Sequence, residues 1–225
     1  MKRYIKKNIF VVITLLIFIA ITSFYYSFSL LYSSKTNGIT IVLDAGHGAR
    51  DGGSVGVNGT IEKDINLAYT LALKDKLVDC GYKVVLTRKN DEALYAETAK
   101  NKKLSDMNTR LETIKKANPN LVVSIHMNSF RSSVVKGANT YYREGDETSK
   151  QIADLIQKSL NTYCNAPNKL GKVGDYFILN CTYYTAVLVE CGFISNADEE
   201  ALLNTEEYKK RIVDSICAGI TLYFG

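Results

Sequence analysis

The sequence contains only two histidines, and each directly follows a short apolar run. His47 lies in the segment LDAGHG, His126 lies in VVSIHMNS, and Glu190 closes the run AVLVE. Short apolar runs of this kind are typical of buried strands in a parallel sheet. Because such strands present their carboxyl ends at one edge of the sheet, we expect these three polar side chains to meet there.

A fourth candidate, Glu62, begins a helical segment after a Gly-rich loop that runs through Gly59. That loop can fold the carboxylate back over His47. Two imidazoles and one carboxylate form one of the ligand sets that hold a catalytic zinc ion and leave a fourth position for water. The spacing therefore points to a zinc site.

Each of these residues also has a simpler interpretation. A single histidine could be an ordinary core or loop residue, Glu62 could stabilise the first turn of its helix, and Glu190 could pair with a buried base. A carboxylate that follows four apolar residues is costly to bury without a partner, however. The joint placement of all four residues favours a site.

The elements that must position these residues alternate along the chain. Apolar runs predict strands and 3.6-residue periodicity predicts helices. The predicted strands cover residues 39–44, 82–88, 121–126, 137–143, 175–180 and 186–190, and the predicted helices cover 62–80, 105–117, 147–163 and 206–223. This pattern predicts an α/β fold with a mainly parallel, twisted sheet of about six strands and helices on both faces.

The N-terminal region differs from the rest of the chain. Lys2, Arg3, Lys6 and Lys7 precede a stretch from Asn8 to Ser34 that contains no charged residue. Its length and apolarity predict one transmembrane helix, with the basic tail in the cytoplasm and the remainder exported. A cleaved signal peptide is the alternative, although no clear cleavage site follows the apolar core. We expect residues 1–33 to form the tail and anchor, and residues 34–225 to form one catalytic domain.

Composition excludes several other classes of protein. Hydrophobic residues make up 46% and charged residues 23%, which is typical of a globular domain. Four of the 28 basic residues lie in the N-terminal tail, so residues 35–225 carry a net charge of only +1 and no nucleic-acid partner is expected. The five cysteines lack a C-x-x-C spacing, so we expect buried thiols rather than a disulfide framework.

Three segments resemble one known family. IVLDAGHGARDGGSVGVNGTIEKDINL (41–67), SIHMNS (124–129) and AVLVECGFISN (186–196) are similar to the zinc-dependent N-acetylmuramoyl-L-alanine amidases of type 3. Those enzymes cleave the amide bond between the lactyl group of N-acetylmuramic acid and L-alanine in peptidoglycan. The shorter fragments TR (87–88) and DMNTRLETIKKAN (106–118) are also similar to this family, so the resemblance covers nearly all of residues 39–225.

By motif, the resemblance implies that His47, Glu62 and His126 bind one Zn²⁺ and that Glu190 is the catalytic acid–base. Two further roles are open at this stage. Asp44 could orient a ligand histidine or have a structural role at its strand end. Asn128 and Ser129 could touch the substrate or form a turn.

The chain also departs from the family pattern. Family members commonly have a glycine at Ala49, a proline near Gly52, an arginine near Asn180 and a proline near Thr185. None of these positions is a metal ligand, so the differences bear on substrate contacts rather than on the chemistry.

A single anchored amidase domain is most similar to the germination-specific branch that acts on spore cortex and prepares muramic δ-lactam. With no wall-binding repeat in the sequence, we expect a separate exported protein to target or activate the enzyme. Two other functions remain open: a non-catalytic peptidoglycan-binding wall protein, and a zinc peptidase or deacetylase that acts on another peptidoglycan bond.

Overall fold

The computed structural model describes residues 13–23, 36–164, 169–181 and 183–225. Strands and helices alternate from residue 40 onward. In chain order they are β1 (Thr40–Ala45), α1 (Glu62–Asp79), β2 (Lys83–Leu86), α2 (Lys102–Ala117), β3 (Leu121–Asn128), β4 (Asn139–Tyr142), α3 (Glu147–Tyr163), β5 (Lys172–Val173), α4 (Phe177–Asn180), β6 (Ala186–Phe193), α5 (Ala197–Leu203) and α6 (Glu206–Phe224).

The strands form one six-stranded sheet in the order β2-β1-β3-β6-β4-β5. β2, β1, β3 and β6 are parallel to one another, as predicted. The sheet is nevertheless mixed, because β4 pairs antiparallel with β6 and is itself parallel to β5. The segment between β3 and β4 is too short for the crossover that two parallel strands require, so the chain returns in the opposite direction.

Both faces of the sheet are covered by helices, as the sequence pattern predicted. Because side chains alternate between the two faces of a strand, Ile41 and Leu43 pack on the same side as α1, α3 and α6. Val42, Val122 and Leu188 point to the other side, which α2 and the short helix α4 cover. The second face is the one with fewer and shorter helices.

Three details of the predicted secondary structure are corrected by the structure. Residues 175–180 were expected to be a strand, but residues 177–180 form the helix α4. Its Ile178 and Leu179 are buried against the sheet, and a short apolar run has no periodicity that separates a strand from a buried helical turn. The two-residue strand β5 and the helix α5 were not predicted.

The chain divides into two units, Met1–Thr36 and Asn37–Gly225, and all elements named above belong to the second. In the first unit, residues 13–23 are helical, while residues 1–12 and 24–35 of the predicted tail and anchor lie outside the described residues. No helix within the described ranges is both long and apolar enough to cross a bilayer.

All five cysteines are free thiols. Cys191 and Cys217 are buried in the core, as expected, whereas Cys181 is half-buried. Cys80, at the end of α1, is exposed, and its sulfur lies 3.5 Å from that of Cys217.

Candidate functional site

The structure brings His47, Glu62 and His126 together at the carboxyl edge of the sheet. Oε1 of Glu62 lies 3.2 Å from Nε2 of His47 and 3.0 Å from Nδ1 of His126. The two imidazole rings meet edge to face, with centroids 5.1 Å apart. One possible ligand atom from each residue fits within 4.8 Å of the others.

Strand geometry explains why His126 and Glu190 lie on the same side of the sheet. Because alternate residues share a face, His126 and Glu190 point to the same side as Val122 and Leu188, where α2 and α4 pack. His126 and Glu190 are also register partners on the neighbouring strands β3 and β6. The more thinly covered face of the sheet therefore carries the polar groups.

The loop after β1 approaches the ring of His126 closely. A Cβ atom on Gly46 would lie 2.2 Å from Cε1 of His126, so only glycine leaves room for the imidazole. His47 and Ala49 have φ angles of 61° and 49°, in the left-handed region that is strained for residues with a side chain. The backbone at Ala49 explains why glycine is common at this position in the family.

Glu62 is placed by the loop that precedes α1. No side chain caps this helix; instead the backbone N–H groups of Glu62 and Lys63 donate to the carbonyls of Ser54 and Gly52. The N–H of Ser54 in turn donates to Oε2 of Glu62, at 2.8 Å. Oε2 is thereby held by the loop, while Oε1 faces the two histidines.

The cluster fits a zinc ion by donor chemistry and by spacing. Zinc–nitrogen and zinc–oxygen bonds of about 2.0–2.2 Å in a tetrahedral site place ligand atoms about 3.4 Å apart. The separations of 3.2 Å and 3.0 Å are close to that value. Glu62 is only 3% exposed, whereas the histidines are half-buried, so the site is open on the histidine side.

Contacts with the two histidines favour the ionised form of Glu62. Burial raises the pKa of Glu62, but hydrogen bonds from His126 and His47 outweigh it and hold the pKa far below its usual value. Burial lowers the pKa of His47, and contacts with Glu62 and Asp51 more than reverse this, so the net shift is upward. A proton on His47 therefore competes with a metal ion for this site.

The ring of His47 is in contact with the carboxylate of Asp51. Nδ1 of His47 lies 2.9 Å from Oδ1 of Asp51, and the other oxygen of Asp51 pairs with Lys103. Burial raises the pKa of Asp51, but the Lys103 and His47 contacts lower it to about 2. This contact leaves Nε2 of His47 facing Glu62, as a metal ligand requires.

Of the two roles open for Asp44, its hydrogen bonds favour the structural one at its strand end. Its carboxylate accepts hydrogen bonds from Arg110 at 2.6 Å and from Thr87 and Ser124 at 2.7 Å each. Arg110 also donates to the carbonyls of Ala45 and His47. The buried ion pair thus supports the backbone that carries the first histidine.

A second buried arginine supports the same loop. Arg88 donates to the carbonyl oxygens of Ala45, Gly46 and Lys63. Neither residue type nor spacing in the sequence indicates a function for Arg88, Arg110 or Asp51. The fragments around residues 87–88 and 106–118 did resemble the family, and that resemblance was the available signal for the two arginines.

Glu190 lies beside the cluster and is 7% exposed. Its Oε2 atom has no hydrogen-bond partner among the described residues, while the hydroxyl of Tyr176 interacts with the carboxylate. Burial raises the pKa of Glu190 to about 7, against the opposing effect of the nearby His126. A carboxyl group with this pKa can accept and return a proton near neutral pH.

A cavity of about 430 Å³ opens next to the two histidines. Tyr176 and Phe177 line one side of it, and Lys103, Leu104 and Met107 from α2 line another. Helices α2 and α4 therefore border this cavity. Its walls are mainly apolar, and Lys103 adds one exposed positive charge.

Asn128 is the last residue of β3, and Ser129 follows it directly. Asn128 is half-buried, its side chain interacts with Tyr141, and its carbonyl accepts a hydrogen bond from Ile194. Ser129 is exposed. Their role as substrate contacts stays a prediction.

Asn180 stands where the family commonly has an arginine. Its Nδ2 donates to Oδ1 of Asp175, at 2.7 Å, across the base of α4. This local contact fixes the end of the helix that carries Phe177 into the cavity.

Comparison with known proteins gives consistent matches over this domain. The family model described as N-acetylmuramoyl-L-alanine amidase matches residues 41–222. The germination-specific N-acetylmuramoyl-L-alanine amidase of Bacillus subtilis is 32% identical over 200 residues, which cover 86% of this chain and 83% of that protein.

Solved structures agree with the sequence matches. The CwlD amidase from Clostridioides difficile, solved in complex with the GerS lipoprotein, gives a TM-score of 0.77 at 38% identity and covers 83% of this chain and 98% of its own. The catalytic domain of CwlV, an amidase from Bacillus (Paenibacillus) polymyxa, gives a TM-score of 0.72 at 34% identity, with the same coverage.

Proposed function

Because this chain belongs to the N-acetylmuramoyl-L-alanine amidase family and is a peptidoglycan amidase, we propose that it uses one zinc ion to hydrolyse the bond between the lactyl group of N-acetylmuramic acid and L-alanine. The observation that supports this most is the His47–Glu62–His126 cluster. Beside it lies Glu190, whose Oε2 atom has no hydrogen-bond partner among the described residues. Zinc, when bound, polarises the scissile carbonyl and acidifies a water molecule.

His47, Glu62 and His126 would hold the ion, and the remaining steps depend on other side chains. Asp51 keeps Nδ1 of His47 engaged, so that Nε2 is directed at the site. Glu190 takes the proton from the attacking water and later delivers one to the leaving nitrogen of L-alanine. The raised pKa of Glu190 supports both proton transfers. A carboxyl group with an ordinary pKa is almost fully ionised near pH 7, so it is a weak base and has no proton to deliver.

The test is to measure zinc content and to identify the bond that is cut. The full-length protein is incubated with muropeptides of known structure, and the products are analysed by mass spectrometry. Release of an intact stem peptide with a free L-alanine amine supports the proposal. A cut within the stem, or loss of an acetyl group, would indicate a peptidase or deacetylase, and no product would indicate a binding protein.

We further propose that the substrate is spore cortex and that the products lead to muramic δ-lactam. The support is the similarity to the germination-specific amidase of Bacillus subtilis. Cortex from spores that lack this protein should contain no muramic δ-lactam, and the wild-type gene should restore it. Normal δ-lactam content in the deletion strain would contradict the cortex assignment.

We propose that a separate exported protein assists the enzyme. The support is that the CwlD amidase was solved as a complex with the GerS lipoprotein. If the purified protein acts on intact cortex at full rate by itself, and localises normally when candidate partners are deleted, this part of the proposal is wrong.

We propose that residues 1–33 anchor the chain in a membrane, with residues 34–225 on the exported side as the catalytic domain. The support is the uncharged stretch from Asn8 to Ser34 behind four basic residues, and the extracytoplasmic substrate of the family. Cell fractionation tests this: the full-length chain should sediment with membranes and the 34–225 truncation should not. Processing of the N-terminus would indicate a cleaved signal peptide.

A further inference from the structure

Glu200, in α5, is a buried carboxylate that the reaction does not use directly. It is 1% exposed, and it accepts three hydrogen bonds from a loop about 140 positions earlier in the chain. The donors are the backbone N–H of Asn58 at 2.7 Å, Nδ2 of Asn58 at 3.1 Å and the backbone N–H of Thr60 at 3.0 Å.

These bonds outweigh the cost of burying the charge. Burial raises the pKa of Glu200, whereas the hydrogen bonds from Asn58 and Thr60 lower it, and the net result lies below the usual value. The carboxylate is therefore ionised when it binds the loop. Asn204, one turn further along the chain, adds a hydrogen bond from its Nδ2 to Oγ1 of Thr60, at 2.9 Å.

The loop that Glu200 holds is the one that places Glu62. It runs from residue 54 to residue 61, and its first residue exchanges hydrogen bonds with Glu62 in both directions: N–H of Glu62 to the Ser54 carbonyl, and N–H of Ser54 to Oε2 of Glu62. Because α1 has no side-chain cap, the carbonyl groups of this loop and of Gly52 before it accept the hydrogen bonds of the first turn of the helix.

The fit between the loop and Glu200 is close. A Cβ atom on Gly56 would lie 2.2 Å from Oε1 of Glu200, so the backbone at this position rests directly on the carboxylate. The N–H of Gly56 donates to the carbonyl of Thr60, which closes the turn around the same group. Any movement of Glu200 is therefore transmitted to the loop.

We infer that Glu200 is a positioning residue that fixes loop 54–61 and thereby directs the carboxylate of Glu62 at the metal. This inference rests on the proposed zinc-dependent function. Glu200 touches neither metal nor substrate; it acts through the loop. Helix α5 follows β6, and β6 carries Glu190. The contact between Glu200 and loop 54–61 therefore also connects this loop to the segment that carries the proposed acid–base.

The neighbouring residue provides a matched control. Glu199 is also buried and ionisable, and it accepts hydrogen bonds from the backbone N–H groups of Gly137 and Phe193. It joins the segment before β4 to the end of β6, and neither of these leads to Glu62. The variants Glu199→Gln and Glu200→Gln therefore replace a carboxylate by an amide at adjacent buried positions, and only the second disturbs loop 54–61.

The experiment compares these two variants with the wild type as full-length proteins. Zinc affinity is measured by competition with a chromogenic chelator, and loop mobility by hydrogen exchange of residues 54–61. We expect Glu200→Gln to weaken zinc binding about tenfold and to speed exchange in the loop. Glu199→Gln should leave both quantities at wild-type values. Excess zinc should restore the turnover of Glu200→Gln, because Glu190 and the three ligands remain intact.

Wild-type zinc affinity in Glu200→Gln, or an equal loss in Glu199→Gln, would overturn the inference. If Glu200→Gln does not fold, Gly56→Ala tests the same contact from the loop side and should also weaken zinc binding; unchanged affinity there would overturn it as well. Failure of the wild-type protein to bind zinc would instead overturn the proposed function.

Discussion

Asp44 and Glu190 are both buried carboxylates near the carboxyl edge of the sheet, on the face covered by α2 and α4, yet their surroundings are opposite. Asp44 is saturated by hydrogen bonds from Arg110, Thr87 and Ser124. Burial raises its pKa, but the charge of Arg110 and these hydrogen bonds lower it to about 2. Oε2 of Glu190 has no partner among the described residues, and burial raises the pKa of Glu190 to about 7.

The difference separates a carboxylate that holds the fold together from one that can exchange protons. A fully paired carboxylate stabilises the folded state and cannot easily accept a proton. A buried carboxylate without a full set of partners costs stability, and such groups are concentrated at functional sites. Position at a strand end does not by itself distinguish the two, whereas the partners do.

The largest effect should come from removing a proposed metal ligand. Neither Asp44 nor Glu190 is one. We expect His126→Ala, and separately Glu62→Ala, to lose bound zinc and activity together, because each removes one of the three proposed zinc ligands. Zinc is measured by atomic absorption on folded protein, and activity by release of stem peptide. A folded His126→Ala variant that retains zinc at full affinity would remove this histidine from the site.

Glu190→Gln should keep zinc and lose turnover by about 10² to 10⁴-fold, because the amide has the same shape but cannot take a proton from water. Zinc content and stem-peptide release are measured side by side with Glu62→Ala. Near-normal turnover in Glu190→Gln would refute its assigned role. Zinc loss in Glu190→Gln with retention in Glu62→Ala would show that the two glutamates have exchanged roles.

Asp44→Asn should lower the free energy of unfolding by about 3–5 kcal/mol, because it removes the more buried of the two carboxylates that pair with the buried guanidinium of Arg110. Denaturant titration measures this change. The control is Asp106→Asn, which removes the other, less buried partner of Arg110 and should cost less. If Glu190→Gln destabilised the fold as much as Asp44→Asn, the contrast between the two carboxylates would fail.

In metal-free protein, titration of Asp44 and titration of Glu190 should change the free energy of unfolding in opposite directions as the pH rises. The pKa of Glu190 is raised from 4.5 to about 7, so its contribution is fully present below pH 4.5 and is lost as pH rises to 7, by up to about 3 kcal/mol. The pKa of Asp44 is lowered, so its contribution is present above pH 3.8 and is lost as pH falls towards 2.

Thermal unfolding of wild type and both variants across pH tests this. Glu190→Gln should gain stability relative to wild type between pH 4.5 and 7, and Asp44→Asn should approach wild-type stability only below pH 3.8. If the difference in stability between wild type and Glu190→Gln does not change with pH, Glu190 titrates normally.

The smallest effect should come from Asp51→Asn, which weakens the contact that orients His47. We expect zinc affinity to fall by about tenfold while the fold is preserved. Asp91→Asn is the matched control, because Asp91 binds Lys63 and the N–H of Ala49 in the same region without touching a ligand histidine. Equal losses in the two variants would show that Asp51 supports only the loop.

The sequence by itself determined the positions of the four central residues. His47, His126 and Glu190 follow apolar runs long enough to be buried strands, and parallel strands end at one edge whatever their partners are. Glu62 begins a helix in which the buried residues Ile65, Tyr69, Leu73 and Leu77 recur every four residues. The strands and long helices were predicted for the same reason: repeated local patterns specify them.

Only the tertiary structure decided which polar groups are paired. Asp44 meets Arg110 across 66 positions, and Glu200 meets Thr60 across 140, so no local pattern relates them. The same holds for the antiparallel strand β4 and for the turn of helix at residues 177–180, which depend on the surface they pack against. Hydrogen-bond partners and burial arise from the packed chain, and they alone separate the structural carboxylate Asp44 from the one proposed to act in catalysis, Glu190.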